Sequence, residues 1–119
     1  MHKPNEFNIE RHGTLVSMTI KGDITSFSEP YLNRAYEDVD SQHAPEKILL
    51  VFEKDAYINS GGIAVLIQIL ARTRKKNQFI GITGITSHFK KIFNMVGITK
   101  LATIYDTLGD ALEAMETPG

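Results

Sequence analysis

The sequence predicts an α/β domain with a central mixed, mostly parallel sheet of about five strands and about four helices packed on it. Three observations carry that prediction. The chain has 119 residues, the usual size of one compact domain. Its apolar residues switch repeatedly between strand and helix spacing, in the order β-β-α-β-α-β-α-β-α. Ile48-Leu49-Leu50-Val51-Phe52 is apolar throughout and of strand length, as in a parallel strand buried on both faces.

Phe7 and Ile9, then Val16, Met18 and Ile20, alternate with polar residues on either side of Arg11-His12-Gly13. That pattern predicts a strand, a glycine turn and a second strand. Gly22-Asp23-Ile24-Thr25 closes the second strand, and Ser26 or Ser28 is placed to cap the next helix. Pro30 suits a first helical turn, and Leu32, Ala35, Tyr36 and Val39 mark an amphipathic helix reaching about Asp40. Ser41 to Pro45 reads as a loop before the Ile48–Phe52 strand.

Ile63, Leu66, Ile67 and Leu70 then predict the core row of a second helix. The charged run Arg72-Thr73-Arg74-Lys75-Lys76-Asn77 is its cationic, solvated last turn, as the helix dipole prefers. Phe79-Ile80-Gly81-Ile82 predicts a short strand interrupted by glycine. Ser87 is the expected cap of a third helix with Phe89, Ile92, Phe93 and Val96 at core spacing, stopped at Gly97. Leu101 to Tyr105 makes a last strand, and Asp106 or Thr107 caps a final helix through Leu108, Leu112 and Met115. The expectation is one domain over residues 1–119, with 1–5 and 116–119 frayed.

Composition excludes several functions. Lys plus Arg number 13 and Asp plus Glu 14, a net charge of -1 that leaves no electrostatic footprint for nucleic acid or an anionic membrane. With no cysteine, thiol catalysis, disulfides and thiolate metal sites are absent, which fits a reducing compartment. The N-terminus lacks the apolar core of a signal peptide, so the cytoplasm is the expected location.

The chemistry concentrates at Tyr57-Ile58-Asn59-Ser60-Gly61-Gly62. Asn59 and Ser60 are the residue types that cap a helix start, because their side-chain oxygens accept unpaired backbone N–H groups. Two glycines in a first turn cost roughly 1 kcal/mol each against alanine, so something besides helix stability favours Gly61 and Gly62. The expectation is that they clear space for another molecule at the Ser60 hydroxyl. The turn also leaves the carboxyl end of a central strand, where open α/β sheets place functional loops. If phosphorylated, Ser60 would carry about -1.5 to -2 charges, favoured by the positive helix end.

No active site assembles around it. Position 58 is Ile, where a serine-hydrolase elbow needs glycine. His2, His12, His43 and His88 are scattered without metal-ligand spacing, and no Gly-rich phosphate loop is present. Asp55 comes too late in its loop for the phosphoacceptor of a response receiver, and the acidic pair of such sites is missing.

The chain resembles the STAS domain family and, within it, the bacterial anti-sigma factor antagonists. Their hallmark is a strand followed by Asp-Ser-(Ser/Thr/Ala)-Gly-(Leu/Ile)-Gly opening a helix, and here those positions read Asn59-Ser60-Gly61-Gly62-Ile63-Ala64. Gly22-Asp23-Ile24 resembles the family's Gly-x-Leu/Ile near the end of the second strand. Asn59 stands where the family has an acid, and Thr25 where an acid is often found. The resemblance implies a protein that is not an enzyme and needs no cofactor or metal. It implies binding to an anti-sigma factor that is also a serine kinase with bound nucleotide, freeing a sigma factor. Phosphorylation at Ser60 would end that binding, and a metal-dependent Ser/Thr phosphatase would reset it. Asn59, Gly61, Gly62, Asp23 and Thr25 would line the contact. Helical geometry sets Gly61 in one stripe with Val65, Gln68 and Arg72, the positions turned away from the expected core row. Two other roles are open: an unswitched scaffold in a larger assembly, and a small-molecule-sensing accessory domain.

Overall fold

A computed structural model describes residues 3–54 and 56–116. Asp55, His2 and the C-terminal positions 117–119 lie outside the described residues. Five strands form one sheet in chain order: β1 (Glu6–His12), β2 (Leu15–Lys21), β3 (Lys47–Phe52), β4 (Phe79–Thr83) and β5 (Thr103–Ile104). β1 pairs antiparallel with β2, and every later pairing is parallel. The helices are α1 (Glu29–His43), α2 (Ser60–Lys75), α3 (Ser87–Met95) and α4 (Leu108–Glu116). Fold class and element order are those that the residue pattern predicts.

The two faces of the sheet differ because strand side chains alternate. Val16, Met18, Ile20, Ile48, Leu50, Phe52, Ile80 and Ile82 meet α1, α2 and α3 in the larger core. The opposite face is thinner: Leu15 and Leu49 pack with Ala111 and Met115 of α4. Gly81 belongs to that second face, where any Cβ would crowd Tyr105 and Leu49 and run into the Met115 sulfur. The glycine that interrupts β4 thus seats α4.

Several boundaries move. Thr86, not Ser87, caps α3, its Oγ1 accepting from Phe89 N at 3.3 Å. Thr107 caps α4 through the amide of Asp110 at 3.0 Å, while Asp106 pairs with Lys90. Ser28 precedes α1 without capping it, and the helix continues beyond Asp40 to His43, where Ala44 takes a left-handed φ of 41°. β5 shortens to two residues because a 3-10 turn, Ile98–Lys100, takes up the preceding chain. Val96 lies at the end of α3 and is exposed rather than core. Two positions expected to fray, Asn5 and Glu116, are held in place. Asn5 is buried, its Nδ2 donating to the carbonyls of Lys21 and Asp23 at 3.1 and 3.0 Å. Glu116 closes α4 and lies 3.8 Å from His12.

Candidate functional site

The site is built where three segments leave the carboxyl end of the sheet. After β2, the chain turns at Gly22 (φ 96°) and runs extended through Ile24. Ile24 then forms an isolated parallel bridge with Ile58. Ile24 N donates to Tyr57 O at 2.8 Å, and Asn59 N donates to Ile24 O at 3.1 Å. This bridge extends the sheet by one rung and fixes where α2 begins. Asp23 adds a second tie, its Oδ1 accepting from Tyr57 N at 3.1 Å.

Asn59 is the N-cap of α2. Its backbone is extended, and its Oδ1 accepts from Gly62 N at 2.9 Å. Ser60 is therefore the first helical residue, not a cap, and its side chain is exposed. The Asn59 carboxamide keeps the acceptor oxygen that capping needs, so loss of the acid at this position does not disturb the helix start. Among the described residues no hydrogen bond engages the amides of Ser60 or Gly61, the first two donors of the helix.

The glycines serve a different purpose from the one expected. A Cβ on Gly62 would collide with the carbonyl of Ile24, and one on Gly61 would sit 3.0 Å from Ser26 N and Cβ. Their missing side chains admit the protein's own Ile24–Ser26 segment rather than a visiting molecule. Gly62 is buried and offers no contact surface. Thr25, half-buried, caps a 3-10 turn over Ser26–Ser28, its Oγ1 accepting from Phe27 N at 3.1 Å. Ser28 Oγ completes the turn by accepting from Thr25 N and donating to Asp23 O.

The outward stripe also needs correction. Val65 is only 3% exposed and belongs to the core. The buried arc of α2 comprises Gly62, Val65, Leu66, Ile69, Leu70 and Thr73, while Ile63 and Ile67 are its half-buried shoulder. The helix is wedged against α1 as well as the sheet, so a second side is covered. Arg72 shows this directly: its guanidinium donates to Asn33 and Glu37 of α1 at 3.0 and 3.3 Å and lies 4.9 Å from the Tyr36 ring centre. Arg72 is a clamp between helices more than a free contact. The exposed row of α2 is Ser60, Ala64, Gln68 and Ala71. Of the stripe expected from periodicity, Gln68 remains open, with Gly61 half-buried beside Ser60.

Two aromatics that periodicity did not single out flank the serine. Phe27 is 56% exposed on the turn beside Gly61, and Tyr57 is 58% exposed just before the cap. Tyr57 rests edge-on against Phe89 of α3, ring centres 6.3 Å apart, which holds it up without burying it. Only the position of Tyr57 next to the Asn59–Ser60 pair could have drawn attention to it in the sequence. The exposed Asp23 lies at the foot of the same surface. Ser60 and Gln68, with Phe27, Tyr57, Thr25 and Asp23 nearby, form a polar patch edged by exposed rings.

Comparison with known proteins follows the same outline. Residues 6–111 match the model of the STAS domain. A Thermotoga neapolitana protein provisionally named an anti-sigma factor antagonist is 24% identical over 88 residues, 74% of this chain and 70% of that protein. An anti-sigma factor antagonist from Mycobacterium paratuberculosis superposes with a TM-score of 0.75 at 21% identity, covering 95% of each chain. The anti-sigma factor antagonist SpoIIAA in its unphosphorylated form gives 0.70 at 12% identity, over 95% of this chain and 100% of that one. SpoIIAA from Bacillus in its phosphorylated form gives 0.65, also at 12% identity, over 92% and 99%.

Proposed function

The chain belongs to the STAS domain family, and from that premise we propose that it is an anti-sigma factor antagonist switched by phosphorylation at Ser60. The unphosphorylated protein binds a cytoplasmic anti-sigma factor that is also a nucleotide-bound serine kinase, and so frees a sigma factor. Phosphorylation of Ser60 ends the complex, and a metal-dependent Ser/Thr phosphatase restores it. The protein is a substrate and a binding partner, not an enzyme.

The observation that carries this reading is the setting of Ser60. Its side chain is exposed at the first position of a sixteen-residue helix. The Asn59 oxygen satisfies Gly62 N and leaves the two earlier donors facing the serine. A phosphate there gains from the helix dipole and from those amides, so modification costs the fold little. It places about -1.5 to -2 charges on a contact surface, however, and that disrupts an interface built around exposed rings. Asn59 does not block the reaction. Phosphoryl transfer rests on positioning and on stabilising charge at the transferred group, and the kinase brings the metal and base.

The test uses the purified anti-sigma factor kinase from the same host with ATP. Ser60→Ala abolishes phosphate incorporation yet retains binding, whereas Ser60→Asp loses most of the affinity. Equal affinities for the two variants would contradict the switch and favour an unswitched scaffold.

A further inference from the structure

The geometry points to a second interaction surface remote from Ser60: the free edge of β1 and the adjoining flank of α1 pair with a second copy of this chain. β1 is the first strand of the sheet, with β2 on one side only. The turn Gly13-Thr14 joins them, with Gly13 at φ 65° as a two-residue hairpin requires of its first central position. His12 and Leu15 flank that turn and form the closing hydrogen-bonded pair, so the even-numbered residues of β1 address β2. The N–H and C=O groups of Phe7, Ile9 and Arg11 consequently point outward, a regular row ready for another strand.

Beside this edge runs a groove of about 330 Å³ lined by Phe7, Ile9, Tyr31, Arg34, Ala35 and Asp38. Phe7 and Ile9 are half-buried, and Tyr31 is 41% exposed, so the groove is an apolar floor left partly uncovered. Tyr31, Arg34, Ala35 and Asp38 fall at i, i+3, i+4 and i+7 of α1, on one side of the helix. Arg34 and Asp38 are exposed, oppositely charged and one turn apart, yet neither side chain has an ion pair among the described residues.

This arrangement is complementary to itself. A two-fold axis perpendicular to the sheet through Ile9 pairs β1 with its copy in antiparallel register. Ile9 then meets Ile9, Phe7 meets Arg11, and Glu6 meets His12, with no like charges directly opposite. The outward backbone row is satisfied, and the apolar floor continues from one copy into the next. On the helix side the same axis sets α1 antiparallel to its copy, turning Arg34 of each chain toward Asp38 of the other. On the opposite face Glu10 lies diagonal to the partner's Glu6 and Glu10, roughly 7–8 Å away, which keeps the association reversible. The two sheets run in opposite directions across the axis, so both Ser60 surfaces stay open at far ends of the pair. The pairing does not depend on the switch proposed for Ser60.

Sedimentation velocity over a wide concentration range tests it, with charge reversals of exposed residues that leave the core alone. Wild-type protein should show a reversible monomer–dimer equilibrium. Arg34→Asp and Asp38→Arg should each dissociate at least about tenfold more readily, since each sets like charges against each other twice. An equimolar mixture of the two variants should recover dimer, because each supplies the charge that the other needs. Circular dichroism melts confirm that both variants fold. Wild-type protein that stays monomeric at its highest attainable concentration, reversals without effect, or a mixture that fails to associate would each overturn the proposal.

Discussion

At its carboxyl end α2 hands its cationic last turn to α1, whereas at its amino end it presents an uncharged first turn to solvent. Arg72 grips Asn33, Glu37 and the Tyr36 ring, and Lys76 pairs with Asp40. Gln78 joins the cluster, accepting from the Tyr36 hydroxyl at 2.7 Å and donating to Asp40 at 2.8 Å and to Pro45 O at 3.2 Å. At the other end the contacts are backbone rungs, glycine-to-carbonyl packing and the short Asn59 and Asp23 side chains, with Ser60 and Tyr57 exposed beside them. One end uses long charged side chains up in fixing the helix; the other relies on the main chain and the short Asn59 and Asp23 caps and leaves Ser60 exposed. That division is what a switch at Ser60 needs, since a rigid presentation must not consume the groups that a partner reads.

The largest expected effect is at the packed side of the open end. Gly62→Ala drives a methyl into the Ile24 carbonyl and should destabilise the fold by about 3 kcal/mol in urea unfolding, despite alanine's better helix propensity. A variant as stable as wild type would mean that the Ile24 rung does not set the helix start.

Next come two substitutions that separate packing from presentation. Val65→Ala should cost about 2 kcal/mol of stability and leave kinase binding unchanged once the protein is folded. Tyr57→Ala should do the reverse, lowering kinase affinity by about 2 kcal/mol with little change in the melting temperature. Binding loss in Val65→Ala alone would return that residue to the contact surface.

At the closed end, Tyr36→Phe removes a donor and leaves the Gln78 carbonyl unsatisfied, costing about 1 kcal/mol. The smallest effect is a pH dependence at this end. The hydrogen bond from Lys76 holds the Asp40 carboxyl below its ordinary value of 3.8. Its contribution is therefore present above that value and lost as pH falls through the depressed one. Burial raises the Tyr36 phenol above 10.0, and the bond to Asp40 raises Lys76 above 10.5, so their contributions fade as pH climbs past those values. Asp40→Asn should flatten the acid limb of a stability–pH profile, while Ser60→Ala should leave it unchanged.

The same two ends show what the sequence could and could not reveal. Strand and helix order was legible because hydrophobic period is a local property, and Ile48–Phe52 or Leu32–Val39 display it without help. The capping Asn59 and the exposed Ser60 were legible for the same reason, being chemistry at adjacent positions. The direction in which α2 turns its sides was not, because it depends on α1 packing alongside, and Arg72 reaches Asn33 and Glu37 on a helix that precedes it by over thirty residues. The run Arg72–Asn77 looked uniformly solvated, yet its partners Glu37 and Asp40 lie on another element. Gly61 and Gly62 announced a close approach; that the approaching group is Ile24–Ser26 of the same chain is a tertiary fact.

The most direct measurement for the account as a whole is the intact mass of the protein isolated from its native host, followed by phosphopeptide mapping. A fraction carrying one phosphate, located on Ser60, is expected in wild-type protein with Asn59 in place. Protein that is never phosphorylated in that host, or that carries phosphate only on Ser26, Ser28 or Ser87, would contradict it.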